Sequence, residues 1–296
     1  MPQTLESMRR RIESAEDLYA VVRVMRALAA ANIRQCERAV ESLAEYGRAI
    51  EAGLQIVLRN QPNDLIARPR SLGRRWGFIV FGSDQGMCGS FNEQTATFAL
   101  ERINELAAVE DRLVFGVGAR LVGRLEDAGC AVDGRFSPPS TVSGVTAAVH
   151  AALLKVEEAR FRKGIDQFLL IHHRPIAPAG SWPKEARLLP VDPDWLESLA
   201  ARSWDSRSEP MYSMDRRQLF SDLIRQHLFV VLYRAFAESL ASENAGRLAS
   251  THAAERNIQN HLSRLTMSFH QRRQQAITEE LLDIVAGFET LTEEGG

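Results

Sequence analysis

LESMRRRIESAEDLYAVVRVMRALAAANIRQCERAVESLAEYGRAIEAGLQIV, residues 5–57, contains no proline, and its apolar residues return in steps of three and four. Followed strictly, that rhythm runs through Leu5, Met8, Ile12, Ala15, Tyr19, Val22, Arg26, Ala29, Ile33, Cys36, Val40, Leu43, Gly47, Ile50, Leu54 and Val57, and only Arg26 and Gly47 break it. A seam of this kind, sustained over many heptads, predicts one long helix built to lie against another. At 1.5 Å per residue it would reach roughly 80 Å, more than twice the width of a small domain, so it needs a long partner. Gln61-Pro62-Asn63-Asp64, with Pro69 beyond, combines helix-breaking and turn-forming residues and is where the helix is expected to end.

The partner is at the other end of the chain. From about Asp215 to Leu291 the pattern is again helical and free of proline, long enough to span roughly 110 Å. Its first third, Leu219 to Leu240, is apolar nearly all round, as in a helix clasped on several sides. Farther on, Ile258, Leu262, Leu265 and Phe269 follow one seam, and Ile277, Leu281, Ile284, Phe288 and Leu291 follow another displaced by one residue. That drift is what a nearly straight helix shows. The two helices can bury each other's stripes only as an antiparallel coiled coil. The predicted organisation is an N-terminal coiled-coil helix over 1–60, an inserted α/β domain over 74–192 and a C-terminal coiled-coil helix over 212–291.

From about Arg74 to Asp192 the apolar runs shorten and become β-rich. Trp76 to Phe81, Leu113 to Val117, Ala131 to Phe136, Phe168 to His172 and Ala186 to Val191 read as strands. Phe91 to Ala107, Arg120 to Ala128 and Gly144 to Arg162 read as the helices between them. This alternation predicts a Rossmann-like α/β domain of about five strands, mostly parallel, with right-handed crossovers. The last two strands, separated by the Arg174 to Pro183 loop with no helix between, should pair antiparallel at one edge. The stretch from there to Glu209-Pro210 reads as a polar linker.

Composition narrows the function classes. The 296 residues carry 36 Lys+Arg against 38 Asp+Glu, a net charge of −2, which argues against a basic protein that seeks polyanions. All but Lys155, Lys163 and Lys184 of the basic residues are arginine, a bias that fits phosphate or carboxylate recognition but is better explained by genome base composition, because the arginines are spread along the whole chain. Cys36, Cys88 and Cys130 are odd in number and far from metal-ligand spacing, which argues against a disulfide framework or zinc site and for a reducing compartment. With no apolar run near the length of about 18 that a membrane span needs, and no apolar core to the N-terminal MPQTLESMRRRIES, a soluble cytosolic chain is expected.

Several places look chemical. The loop Gly82 to Asn92 follows the first strand and opens a helix, where α/β sheets bind phosphate or place a nucleophile. It lacks a phosphate-loop lysine, a G-x-G-x-x-G spacing and a G-x-S-x-G elbow. The competing reading is a tight turn with Ser90 or Asn92 capping the helix and Cys88 as a small buried side chain. Gly116 to Gly123 starts like a dinucleotide fingerprint, but Leu121 stands where the third glycine belongs. His252, His261 and His270 are nine apart, so His261 points away from the other two while His252 and His270 stand five turns apart and cannot share a metal, and His172 and His173 are strand neighbours that point to opposite sides. Arg26 sits in an apolar seam, so either its head snorkels to solvent or another protein supplies acceptors. Arg272, Arg273, Gln274 and Gln275 form a second polar interruption, a collar ahead of the last apolar seam.

These residues resemble a family, the γ subunit or central-stalk rotor of F-type ATP synthases. Leu5 to Ile12 (LESMRRRI) is similar to its "LKEIRRRI" opening and Val24 to Ala31 (VMRALAAA) to "AMKMVAAS". Ser83 to Gly89 (SDQGMCG) resembles "SDRGLCG", Leu240 to Arg247 (LASENAGR) resembles "LASEQAAR", and Arg273 to Leu281 (RQQAITEEL) resembles "RQASITQEL". Together they cover essentially the whole chain in order. Gln85 replaces an Arg, Arg26 a Lys, Ala20 to Arg23 the usual "KITK", and Glu255 to Gln259 stands for a "TDNGG" bend. Such departures fit a divergent bacterial lineage, for example the additional sodium-type set, although the ion is chosen in the membrane ring and not by this chain.

The resemblance implies a non-catalytic subunit without cofactor. Its paired helices would stand inside a ring of α and β subunits, and its α/β domain would be a foot meeting the ε subunit and the membrane c-ring, at the cytoplasmic face of the bacterial inner membrane. Met25, Arg26, Arg273, Gln274 and Thr278 match the family's contacts to the catalytic ring. Two other classes compete: a nucleotide- or acyl-handling α/β enzyme centred on Ser83 to Asn92 with helical dimerisation arms, and a scaffold coiled coil without rotary coupling.

Overall fold

The computed structural model describes residues 4–59, 65–66, 75–108, 111–176, 180–204, 207–208 and 210–293, with 286–293 described by backbone alone. The expected helix end at Gln61-Pro62-Asn63-Asp64 and Pro69, together with Arg74 and Glu209, lies outside them. Two compact units form, one of Ala29–Leu248 and one of Met1–Leu28 with Ala249–Gly296.

Helix α1 spans Leu5–Leu58. The last helix, α6, spans Arg216–Glu293, so each long helix contributes to both units. Every one of the sixteen α1 seam positions from Leu5 to Val57 is buried or half-buried, and Cys36 and Leu54 are fully so. Within the larger unit the helices run antiparallel: Tyr46 donates to Gln226 at 2.9 Å, and Arg216 donates to the Val57 carbonyl at 3.0 Å.

The larger unit also holds β1 (Trp76–Phe81), α2 (Phe91–Leu106), β2 (Arg112–Val117), α3 (Ala119–Asp127), β3 (Gly134–Phe136), α4 (Val145–Lys163), β4 (Gln167–Pro175), β5 (Ser181–Leu189) and α5 (Pro193–Ala201). One five-stranded sheet forms in the order β3-β2-β1-β4-β5. Its pairings are parallel except β4 with β5. Strand alternation sorts the core into two layers. Phe78 and Val80 of β1 pack with α2 and α3, while Ile79 and Phe81 pack with α4 and with Leu232, Ala235 and Phe236 of α6. Residues Leu219 to Leu240 therefore serve two masters, the sheet and α1, which explains their all-round apolar character.

Three expectations need correction. The third strand keeps only Gly134–Phe136, because the Asp133 carboxylate and N–H both bond the Val114 backbone and turn the preceding residues away from the ladder. Much of the expected Arg174 to Pro183 loop is strand, since Arg174 pairs with Trp182 and Pro175 with Ser181. The linker contains a helix, α5, started by Asp192, whose carboxylate accepts the Asp194 N–H, with Pro193 at the first helical position. Its Leu196 and Leu199 are buried against Leu54 and Leu58 of α1.

In the smaller unit Met8 and Val22 are buried, and Ile258, Leu262, Leu265 and Phe269 are half-buried, as their seam predicts. The following seam is different. Ile277, Leu281 and Ile284 are 48%, 57% and 57% exposed, and the side chains of Phe288 and Leu291 lie outside the described residues. The register explains this. Arg26 lies beside Glu255, Leu5 is 21 residues before Arg26, and the same step past Glu255 reaches Ala276, the last half-buried position of α6 among the described side chains. Farther on, the stripe lies past the level of Leu5, where α1 starts among the described residues.

Candidate functional site

The Ser83 to Asn92 loop is built as a latch. The Ser83 N–H donates to the Asn92 side-chain oxygen at 3.0 Å, Asn92 donates back to Ser83 Oγ at 2.7 Å, and that hydroxyl donates to the Gln85 carbonyl at 2.9 Å. Asp84 accepts the Ala119 N–H at 2.7 Å and so closes the start of α3. Ser83 is fully buried, its hydroxyl held between the Gln85 carbonyl that it donates to and the Asn92 amide that it accepts from. Cys88 is buried too, and Asn92 donates to its sulfur at 3.4 Å.

The capping expectation is corrected here. Ser90 precedes α2 but makes no side-chain cap bond, because its φ of −85° and ψ of 9° do not aim the hydroxyl at the helix. Asn92 lies inside the helix and ties back to Ser83 instead.

What the latch holds is α6. Met87 and Gly89 adopt φ values of 58° and 63°, and the Cys88 carbonyl between them comes so close to Gly246 that a Cβ there would lie 2.5 Å from its oxygen. One residue on, Arg247 donates to Glu243 at 2.6 Å and to the Gln85 carbonyl at 3.5 Å. Both partners of this ion pair are about nine-tenths withdrawn from solvent, at 10% and 9% side-chain exposure. Burial pushes the Glu243 carboxyl up from its ordinary range, and the Arg247 charge pulls against it. Glu243, Gly246 and Arg247 received no role from sequence reasoning. A glutamate and an arginine four apart, beside a glycine, just beyond the stretch that is apolar all round was the available signal.

Arg26 also finds a partner within the chain. Its guanidinium bonds the Glu255 carboxylate of α6 and lies 3.4 Å from His252 Nδ1. Glu255 is 11% exposed at its side chain and Arg26 is 38% exposed, so part of the five-donor guanidinium stays at the surface. The acceptor lies 229 residues away in sequence, and no local pattern announces it. Met25 beside it is half-buried.

Arg272, Arg273, Gln274 and Gln275 are all exposed, as is Thr278, whose hydroxyl donates to the Gln274 carbonyl one turn back at 2.9 Å. The two polar stations are not brought together. Arg273 is 18 residues beyond Glu255 on one continuous helix, a rise of roughly 27 Å.

Residues 4–291 match the family model described as ATP synthase. The ATP synthase gamma chain of Nostoc punctiforme is 28% identical over 319 aligned positions, which cover 97% of this chain and 99% of the relative. That of Thermosynechococcus vestitus is 27% identical at 97% and 99% coverage, and that of Polynucleobacter asymbioticus 24% identical at 95% and 97%. Among solved structures, a chain of the Euglena gracilis mitochondrial ATP synthase (OSCP/F1/c-ring, one rotational state) shares the fold with a TM-score of 0.62 at 16% identity, covering 97% of this chain and 94% of that one. A chain of the Tetrahymena thermophila mitochondrial ATP synthase central stalk and c-ring does so with a TM-score of 0.56 at 18% identity, covering 79% and 99%. Because the family match runs from residue 4 to residue 291, through both long helices and the whole sheet, the chain belongs to the ATP synthase gamma-chain family.

Proposed function

We propose that this chain is the central rotor shaft of a rotary F-type ATP synthase, coupling ion translocation through the membrane ring to ATP synthesis or hydrolysis in the α/β catalytic ring. The observation that carries the proposal is the family match across both long helices and the domain between them. A shaft needs stiffness, and a side-by-side helical pair with a continuous buried seam supplies it. Residues 74–192 then act as the foot that meets the ε subunit and the c-ring, and 1–60 with 212–291 as the shaft. Among the described residues no helix is long and apolar enough to cross a membrane, in keeping with peripheral attachment at the cytoplasmic face of a bacterial inner membrane.

The subunit is proposed to be non-catalytic and to take no cofactor, a reading supported by the commitment of Ser83 and Asn92 to the latch and by the lack of a lysine in the Gly82 to Asn92 loop. Added to purified α and β subunits, the chain is expected to restore ATPase turnover, while calorimetry of the chain alone shows no micromolar ATP binding. Micromolar binding by the isolated chain, with no effect on the α/β mixture, would favour the enzyme reading.

Met25, Arg26, Arg273, Gln274 and Thr278 are the proposed contacts to the catalytic ring. Arg273, Gln274 and Thr278 are exposed, and Arg26 keeps donors at the surface after binding Glu255. A charge-assisted hydrogen bond to a partner is worth about 1 to 3 kcal/mol. Arg273→Ala with Gln274→Ala should therefore lower coupled turnover by about tenfold or more, with melting of the isolated subunit within about 0.5 kcal/mol of the parent. An unstable subunit with normal turnover once assembled would assign both residues to folding.

A further inference from the structure

Within residues 29–248, α1, the β4–β5 edge and α6 enclose a cavity of about 440 Å³ for which the rotor reading has no use. His172 of β4 and Glu238 of α6 form its floor, with side chains only 4% and 14% exposed and His172 Nδ1 standing 3.7 Å from Glu238 Oε2. That oxygen is buried without a hydrogen-bond partner. The Nδ1 proton of His172 goes instead to the His173 carbonyl at 3.1 Å. Burial lowers the imidazole to about 4 and keeps it neutral, so it brings no counter-charge to Glu238. Burial also raises the Glu238 carboxyl, against the pull of Lys184, Arg174 and Arg234, and favours the protonated form.

The mouth has the opposite character. Lys184 and Arg187 of β5 and Arg234 of α6 are exposed and form no ion pair among the described residues. The other charged groups of the rim are already engaged, Glu51 with Arg202 at 3.2 Å and Arg48 with Glu45 at 3.5 Å. Three unneutralised cations over a concave, partly apolar wall concentrate anions, and guanidinium groups match phosphate oxygens in geometry. The volume falls within the range of about 300–1,000 Å³ usual for small-molecule sites.

We propose that this cavity is an oxyanion site of the phosphate class, in which Lys184, Arg187 and Arg234 hold the charged oxygens at the mouth, above the buried Glu238 carboxyl. The site needs no partner subunit, so it stands or falls separately from the rotor function. Its ligand would bridge the N-terminal helix, the sheet edge and the C-terminal helix.

The test uses the full chain, titrated with inorganic phosphate and with glycerol phosphate at constant ionic strength set by chloride, and read by calorimetry and by the His172 ring resonances. Saturable binding that moves the His172 resonances is expected. Arg234→Gln combined with Lys184→Gln should weaken it by about tenfold or more, whereas Arg162→Gln, on α4 and paired with Glu158, should not. Tighter binding of the ester points to a phosphorylated metabolite as ligand, and tighter binding of inorganic phosphate to the free ion. Glu238→Gln removes the one carboxyl on the floor and should bind no more weakly than the parent does. A response that chloride alone reproduces, binding that survives the double substitution, or loss of binding in Glu238→Gln would each overturn the proposal. Both substituted cations are exposed and unpaired, so unchanged melting without ligand verifies that the variants fold.

Discussion

Replacing Arg247 with alanine is expected to destabilise the fold by about 3 to 5 kcal/mol, the usual cost of leaving one member of a buried ion pair without its partner. Glu243 would keep its place under the Ser83 to Asn92 loop with only the desolvation that already raises its pKa. The sign of the pH dependence follows. A carboxyl whose folded pKa exceeds its unfolded value stabilises the fold below the unfolded pKa, and this contribution is lost as pH rises through the folded pKa. Removing Arg247 raises the folded value further, so the deficit should be largest at neutral pH and shrink in mildly acid solution. Adding Glu243→Gln to the variant should recover much of the loss at neutral pH. Denaturant titrations at both pH values check this, and a deficit below about 1 kcal/mol, or one independent of pH, would mean that the pair is not the buried contact described.

Gly118→Ala is the second large effect. This glycine precedes α3 with φ 98° and ψ 125°, and a Cβ there would lie 2.7 Å from the backbone of Ser83. Backbone strain of about 1 to 3 kcal/mol and overpacking of about 1 to 3 kcal/mol add to an expected loss of about 2 to 6 kcal/mol. Gly123, five residues later in the same helix, has nothing within 4 Å of its would-be Cβ, so Gly123→Ala should stabilise by up to about 1 kcal/mol through helix propensity. Thermal melting of the two variants should move in opposite directions. Parent-like melting of Gly118→Ala would contradict the close packing of the α3 turn on the latch.

The α1 seam was legible because one period repeats over the whole helix, and an error at any single position cannot shift it. The first four strands and their crossovers were legible for a similar reason, since β-rich runs alternate with amphipathic stretches of adequate length. Helix α5 was missed although Asp192-Pro193 is a start signal, because nine residues carry too little periodicity to stand out from a polar linker. The partner of Arg26 could not be found from sequence, as the pairing with Glu255 depends on the register of two helices. The exposure of Ile277, Leu281 and Ile284 was hidden for the same reason, for a stripe is visible in sequence while the length of helix opposite it is not. The proposed ring contacts at Met25, Arg26, Arg273, Gln274 and Thr278 rest on the resemblance and on the polar interruptions of the apolar stripes at Arg26, Arg273 and Gln274.

The edges of the sheet carry a further consequence. At one end stands β3, only three residues long, and at the other β5, where Pro183 removes an amide donor and Lys184, Glu185 and Arg187 crowd charge into a short span. A short edge on one side and a proline-bearing, charged edge on the other are poor templates for a strand from another copy. Either end of the sheet should therefore resist strand-to-strand pairing with a second copy of the chain, even at high concentration.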